Sequence, residues 1–325
     1  MREHQAWTAG ALAFATGVLI GCGAGEAPKE GASATKAGAG VAAATAWNPD
    51  AWKPPTMAEV PNDSMGAAIR RGYALMTATH DSLPQYVPSS LRCVSCHLDG
   101  GTRATAAPLT GAYARFPKYM DRTGAVIPLE DRINYCFTRS LAGSKIPTTS
   151  REMGDLVAYI AYISKDVPVG RHFKADGLLN MPNKLVGDPV RGQQIFATTC
   201  SRCHGADGQG TPPAFPAVWG PKSYSIGASM AREERAASFI FHNMPFDRAV
   251  QLTEQQAFDV SAFVNSHARP DSPEKEKDWP VGGAPYDVPY ATQGHVAYKP
   301  PPVIPRPGSP QTGIVAPPAP IGRGK

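Results

Sequence analysis

Two pentapeptides constrain this chain more than any other feature: Cys93-Val-Ser-Cys96-His97 and Cys200-Ser-Arg-Cys203-His204. C-x-x-C-H is the attachment signature of c-type haem, because two thiols add across the vinyl groups while the adjacent histidine is set beneath the iron as proximal ligand. A redox dithiol or half of a zinc site would also pair its cysteines. Two copies, each with its own histidine and both behind an export-like leader, favour haem. The expected cofactors are two covalently bound haem c groups, and the fold must wrap each of them.

The flanks of the motifs repeat as well. Arg71-Gly72 opens "RGYALM" before the first site, and Arg191-Gly192 opens "RGQQIF" before the second. After the sites come Asp155-Leu-Val-Ala158-Tyr159-Ile160 and Asp259-Val-Ser-Ala262-Phe263-Val264, both helical in pattern. The pairing is similar to small c-type cytochromes, in which an N-terminal helix with a glycine crosses a C-terminal helix with an aromatic residue. The expected crossings are Gly72 against Tyr159 and Gly192 against Phe263, since a residue without Cβ lets a ring approach the backbone.

The expected fold is therefore all-α: two tandem cytochrome c-type domains with extended linkers and a Pro-rich tail. The domains are placed at 56–166 and 186–270, with an inter-domain linker at 167–185 and an extension at 271–325. Each haem supplies core that so short a domain lacks. Sixteen residues separate Met76 from Cys93, against three between Phe196 and Cys200, a difference long enough to add an active-site wall.

Outside the domains the chain is sparse in core-forming residues. "MREHQAWTAGALAFATGVLIGC" has a short apolar run that reads as a signal peptide, 1–21, and Leu19-Ile20-Gly21-Cys22 resembles a bacterial lipobox with Cys22 as the lipidated residue. An ordinary signal cleaved nearby is the alternative. The Ala/Gly-rich part of 22–55 suits a flexible lipid-anchored linker, and nine prolines between Pro300 and Lys325 suit an unstructured tail after about residue 300. The expectation is a periplasmic lipoprotein that meets the membrane only through that anchor. A formal charge of +5 is too small and scattered for nucleic acid, and fits small anions or acidic redox partners better.

An electron-carrying haem needs a second axial ligand opposite its histidine. Met244 of "FHNMPFD" lies 40 residues after His204, and Met/His ligation suits an electron-exit haem. Met230 and His242 are the competitors. In the first domain, 39 residues from His97 reaches not methionine but Cys136, in "RINYCFTRS". Met120 lies in the same half, and Met153 falls in the helix expected at 151–164, a poor position for a ligand. Four of the six cysteines serve haem and one the lipobox, which leaves Cys136 alone. It is either an iron ligand or a buried free thiol. A thiolate on iron lowers the potential relative to methionine, which directs electrons from the Cys136 side to the Met244 side.

From about Trp47 to Tyr290 the sequence resembles the diheme thiosulfate dehydrogenases, and more distantly the cytochrome subunit of the Sox system. The resemblance covers both haem motifs, "RINYCFTRSLAG", "SREMGDLVAYIAYISKDVPVG", "NMP" and "EKEKDWPVGGAPYDVPY". It implies that two thiosulfates join to tetrathionate with release of two electrons, at a haem ligated by His97 and Cys136, with Arg122, Arg132 and Ser140 beside it. The electron acceptor implied is a soluble or membrane-bound c-type cytochrome. Some members carry a lysine beside the distal methionine that competes for iron. This chain has Asn243 there, so that ligand exchange is not expected.

The chemistry gives an independent reason for the arginines. Two dianions brought to 4 Å repel by roughly 16 kcal/mol at an effective dielectric near 20, and guanidinium groups match oxyanions in shape and charge. A haem propionate is the other partner open to Arg122 or Arg132, and Arg139 is expected to be structural or propionate-binding. The competing functions are a diheme carrier without a substrate site, a Sox-type cytochrome subunit and a tetrathionate reductase.

Overall fold

The computed structural model describes residues 47–171 and 177–306. The signal peptide, Cys22, most of the 22–55 linker and the tail beyond 306 lie outside the described residues. The longer helices of the first domain are α1 (Ser64–Thr77), α2 (Leu129–Tyr135) and α3 (Arg151–Tyr162). Those of the second are α4 (Pro189–Ile195), α5 (Glu233–Asn243) and α6 (Glu254–Asn265). Their starts follow from local chemistry: Asp63, Ser150, Asp188 and Thr253 each accept an N–H of the first turn, and Pro189 stands where no donor is needed.

α1 crosses α3, and α4 crosses α6, at matching points. A methyl on Gly72 would lie 2.0 Å from the Asp155 carbonyl oxygen and 2.8 Å from Tyr159 Cβ. On Gly192 it would lie 2.0 Å from the Asp259 carbonyl oxygen and 2.8 Å from Phe263 Cβ. Both expected crossings are present, and each carries an ion pair that was not expected. Arg71 forks Asp155 at 2.7 Å through Nε and Nη2, and Arg191 forks Asp259 at 2.8 Å through the same atoms. The repeated Arg-Gly and Asp-x-x-x-aromatic pairs were the available signal.

The first core gathers Ile69, Met76, Val87, Phe137, Leu156 and Tyr159, with Cys93 against it. The second gathers Phe196, Trp219, Val260 and Val264, with Cys200 against it. Met153 is fully buried in the first core, which is the packing role its helix position predicts. The long loop before Cys93 is a buttress rather than a wall. Ser89 Oγ donates to the Leu141 carbonyl at 2.9 Å and Ser144 N–H to the Tyr86 carbonyl at 3.0 Å, so the loop supports the turn after Cys136 from behind.

Sheet is confined to short pieces. β1 (Lys118–Met120) and β2 (Ala125–Ile127) form a hairpin, while β3 (Arg269–Pro270) pairs in parallel with β4 (Val303–Ile304). Residues 300–306, expected to be unstructured, are therefore held. Strand pairing engages 303–304, and Arg306 donates to the carbonyls of Thr138, Asp271 and Gly143. No helix among the described residues is long and apolar enough to cross a membrane.

Candidate active site

α2 runs into a π-helical turn, Cys136–Ser140, closed by the Leu141 N–H on the Cys136 carbonyl at 2.9 Å. Such widened turns recur at functional sites because they re-aim side chains within a helix. Buried Asn134 fixes the helix by bonding both the carbonyl and the N–H of Ile146. Arg132 stands one turn before Cys136 on the same face, and its Nη1 donates to Cys136 Sγ at 3.1 Å. Burial pushes the Cys136 thiol up, but the Arg132 charge and the nearby His97 outweigh it and bring it down to about 6. Cys136 and His97 thus lie close to one another in the first domain.

The residues present fit haem attachment. His97 Nδ1 lies 2.6 Å from the Ala107 carbonyl oxygen and His204 Nδ1 lies 3.0 Å from that of Pro216. A carbonyl only accepts, so each Nδ1 carries the proton and Nε2 keeps its lone pair for iron. None of the five described cysteines forms a disulfide, which leaves Cys93, Cys96, Cys200 and Cys203 available for thioether bonds.

Arg122, Arg132, Arg139 and Ser140 line one cavity of about 110 Å³, with Met120 and Ser229 on its wall. The structure brings together the arginines and serine predicted from the sequence, but Arg122 is less free than expected. Its Nε donates to Asp278 at 2.9 Å, its Nη2 to the Gly227 carbonyl and to Tyr290 Oη, and its guanidinium lies over the Trp279 ring. Arg139 forks the same Asp278, at 2.9 and 2.5 Å, and Tyr290 Oη donates to it as well. Asp278, Trp279 and Tyr290 all come from the C-terminal extension, whose "EKEKDWPVGGAPYDVPY" gave a family likeness but no role. Three guanidinium groups against one carboxylate leave the wall cationic, suited to a small oxyanion.

In the second domain Met244 caps α5 and packs with Met230, Phe239, Leu98 and Ala106. His242 keeps a buried Nε2 without a hydrogen-bond partner among the described residues. Asn243 is fully buried: its Oδ1 accepts from Thr105 Oγ1 at 2.7 Å, and its Nδ2 donates to the carbonyls of Thr105 and Phe239. That side chain ties Met244's backbone to the loop after Cys96-His97.

Residues 85–169 match the family model for the SoxA/TsdA cytochrome c domain, and residues 189–268 match that for cytochrome c. With the motif histidines and free thiols already described, these matches define a diheme c-type cytochrome with two covalently bound haem c groups. The chain is 39% identical over 241 residues to the thiosulfate dehydrogenase of Psychrobacter arcticus, covering 73% of this chain and 74% of that one. It is 40% identical over 225 residues to that of Allochromatium vinosum, covering 66% and 83%. Among solved structures it resembles thiosulfate dehydrogenase (TsdBA) from Marichromatium purpuratum, with a TM-score of 0.68 and 31% identity. That match covers 76% of this chain and 57% of the other, so the chain spans little more than half of that solved protein. The chain belongs to the diheme thiosulfate dehydrogenase family.

Proposed function

We propose that this protein joins two thiosulfate ions into tetrathionate beside Cys136 and passes the two electrons through the second haem to an external c-type cytochrome. The observation that carries this reading is the 3.1 Å contact from Arg132 to Cys136 Sγ next to an arginine-lined cavity. When bound, haem supplies the electron-accepting centre that the side chains lack. His97 and Cys136 would hold the iron of the first haem in this reading, and His204 and Met244 that of the second.

The side chains then divide the work. Arg132 and Arg122 hold the sulfonate ends and offset the repulsion between dianions, and Ser140 donates a further hydrogen bond. The Cys136 thiolate bonds to the sulfane sulfur of the first thiosulfate, a two-electron oxidation for which bound haem would be the acceptor. A second thiosulfate attacks the same sulfane sulfur, which breaks the bond to Cys136, restores its thiolate and releases tetrathionate. The sum is two thiosulfate dianions to one tetrathionate dianion and two electrons. Lipidation at Cys22 would tether the enzyme to the membrane.

The test is anaerobic mixing of the oxidised holoprotein with thiosulfate, with tetrathionate assayed as product. Wild type is expected to form tetrathionate as its haems reduce, and Cys136→Met to keep both haems but lose the thiolate spectral features and the product. A wild-type protein whose haems thiosulfate does not reduce, or a Cys136→Met protein with unchanged spectrum and rate, would sink the reading.

A further inference from the structure

Arg269 is the largest fully buried side chain among the described residues. Its Nη2 donates to the Val264 carbonyl at 2.7 Å, while Nε and Nη1 are buried without a geometric hydrogen-bond partner among the described residues. The carboxylate nearest in sequence, Asp271, is occupied by Lys275 Nζ at 2.5 Å and by the Ser272 N–H at 2.8 Å. A guanidinium taken out of water with two donor nitrogens idle is a costly arrangement unless an anion arrives to meet it. Its surroundings indicate which anion.

The guanidinium lies over the Tyr224 ring, 4.3 Å from its centroid. Tyr224 belongs to the first domain's core, which also receives Cys93, and lies within electrostatic reach of Cys96. Backbone bonds from Gly220 to Ala268 and from Ile226 to Pro270, both 2.8 Å, zip 220–226 along 268–270. Inside that span Ser223 Oγ is a second buried group with no partner. Two sets of idle donors therefore flank Tyr224, one by sequence and one by stacking, beside the attachment site of the first haem. The fixed anions that enter the protein with haem are its propionates.

We propose that Arg269 forms an ion pair with a propionate of the haem attached at Cys93 and Cys96, and that Ser223 Oγ donates a second hydrogen bond to the same carboxylate. The cation comes from the second domain and the haem from the first. Arg269 is thereby a strap between domains as well as a charge on the haem. Val264, which accepts its remaining nitrogen, packs in the second domain's core with Cys200, so the guanidinium stands between the two haem sites. A buried cation beside a haem favours the reduced state, so Arg269 raises the potential of the first haem and tempers the lowering expected from a thiolate ligand. The pairing rests on haem attachment and on these idle donors, not on the thiosulfate chemistry.

The experiment is a redox titration of holoprotein followed by electron paramagnetic resonance, which reads the two ferric haems separately, together with resonance Raman of the propionate bending bands. Arg269→Gln is expected to lower the potential of the first haem alone and to move a propionate band. Arg269→Lys keeps the charge but loses the forked grip, so it should restore most of the potential while leaving the band displaced. Ser223→Ala should move the band less. Arg269→Gln with wild-type potentials and bands, or with a shift confined to the haem at Cys200 and Cys203, overturns the proposal. Where Arg269→Gln gives no holoprotein, Arg269→Lys decides, and a wild-type propionate band in it overturns the proposal.

Discussion

The two haem domains share one frame and part company most sharply at one slot. Each crosses a glycine with an aromatic residue, and each clamps the crossing with an arginine forked onto a buried aspartate. Thirty-nine residues after His97 the first domain places Cys136, in a π turn with a guanidinium on its sulfur. Forty residues after His204 the second places Met244 among apolar side chains. The position four residues before the slot is Arg132 in one and Ile240 in the other. In the function proposed here, a scaffold for electron transfer becomes a reaction site when the slot residue turns nucleophilic and its wall turns cationic. The frame itself need not change.

Separate changes at the two slots should break the comparison most sharply. Cys136→Met makes the first domain resemble the second and is expected to lower tetrathionate formation by roughly 10³ or more, the scale on which removing a nucleophile acts. Met244→Ala should leave thiosulfate able to reduce the first haem in stopped-flow while slowing turnover with an added cytochrome. Asp278→Asn comes next. It removes a buried carboxylate that holds both Arg122 and Arg139, and should cost about 3–5 kcal/mol in denaturant unfolding and raise KM for thiosulfate.

Smaller effects test whether the frames are equivalent. Gly72→Ala and Gly192→Ala should each destabilise their own domain by about 1–3 kcal/mol or more, because the added methyl meets a carbonyl at the same distance in both. Clearly unequal losses would show that the two crossings are not alike energetically. The smallest effect expected is in acid unfolding. Burial pushes the Asp259 carboxyl up, but Arg191, the Asp188 N–H and Gln255 outweigh it and hold it below the usual aspartate range. Its contribution is therefore complete above the unfolded aspartate value of about 3.9 and is lost as pH falls through the lower folded one. Arg191→Gln should raise the acid midpoint of the second domain, read by circular dichroism across a pH series, and an unmoved midpoint would remove Arg191 from the account.

Much of this comparison could be read from the chain alone, because its carriers are local or evenly spaced. The haem motifs, the glycine-aromatic pairs and the offset that equates Cys136 with Met244 all lie in short intervals. What escaped the reading depends on contacts between distant segments. Nothing near Arg122 announces that Asp278 and Tyr290 will hold it, and nothing near Asn243 announces Thr105. Arg269 looks like any surface arginine until both its burial and its idle nitrogens are seen. The loop before Cys93 was legible as an insertion but not as a support for the far side of the Cys136 turn.

The C-terminal extension also sets an order of events for the newborn chain. Asp278, Tyr290 and Arg306, which seat the cavity arginines and clasp the turn after Cys136, leave the ribosome long after both Cys-x-x-Cys-His motifs. Haem attachment can thus be under way before the wall of the arginine-lined cavity is complete. A product cut short ahead of residue 278 is expected to be coloured yet poor at holding thiosulfate, with its final stretch acting as the latch that arms the enzyme.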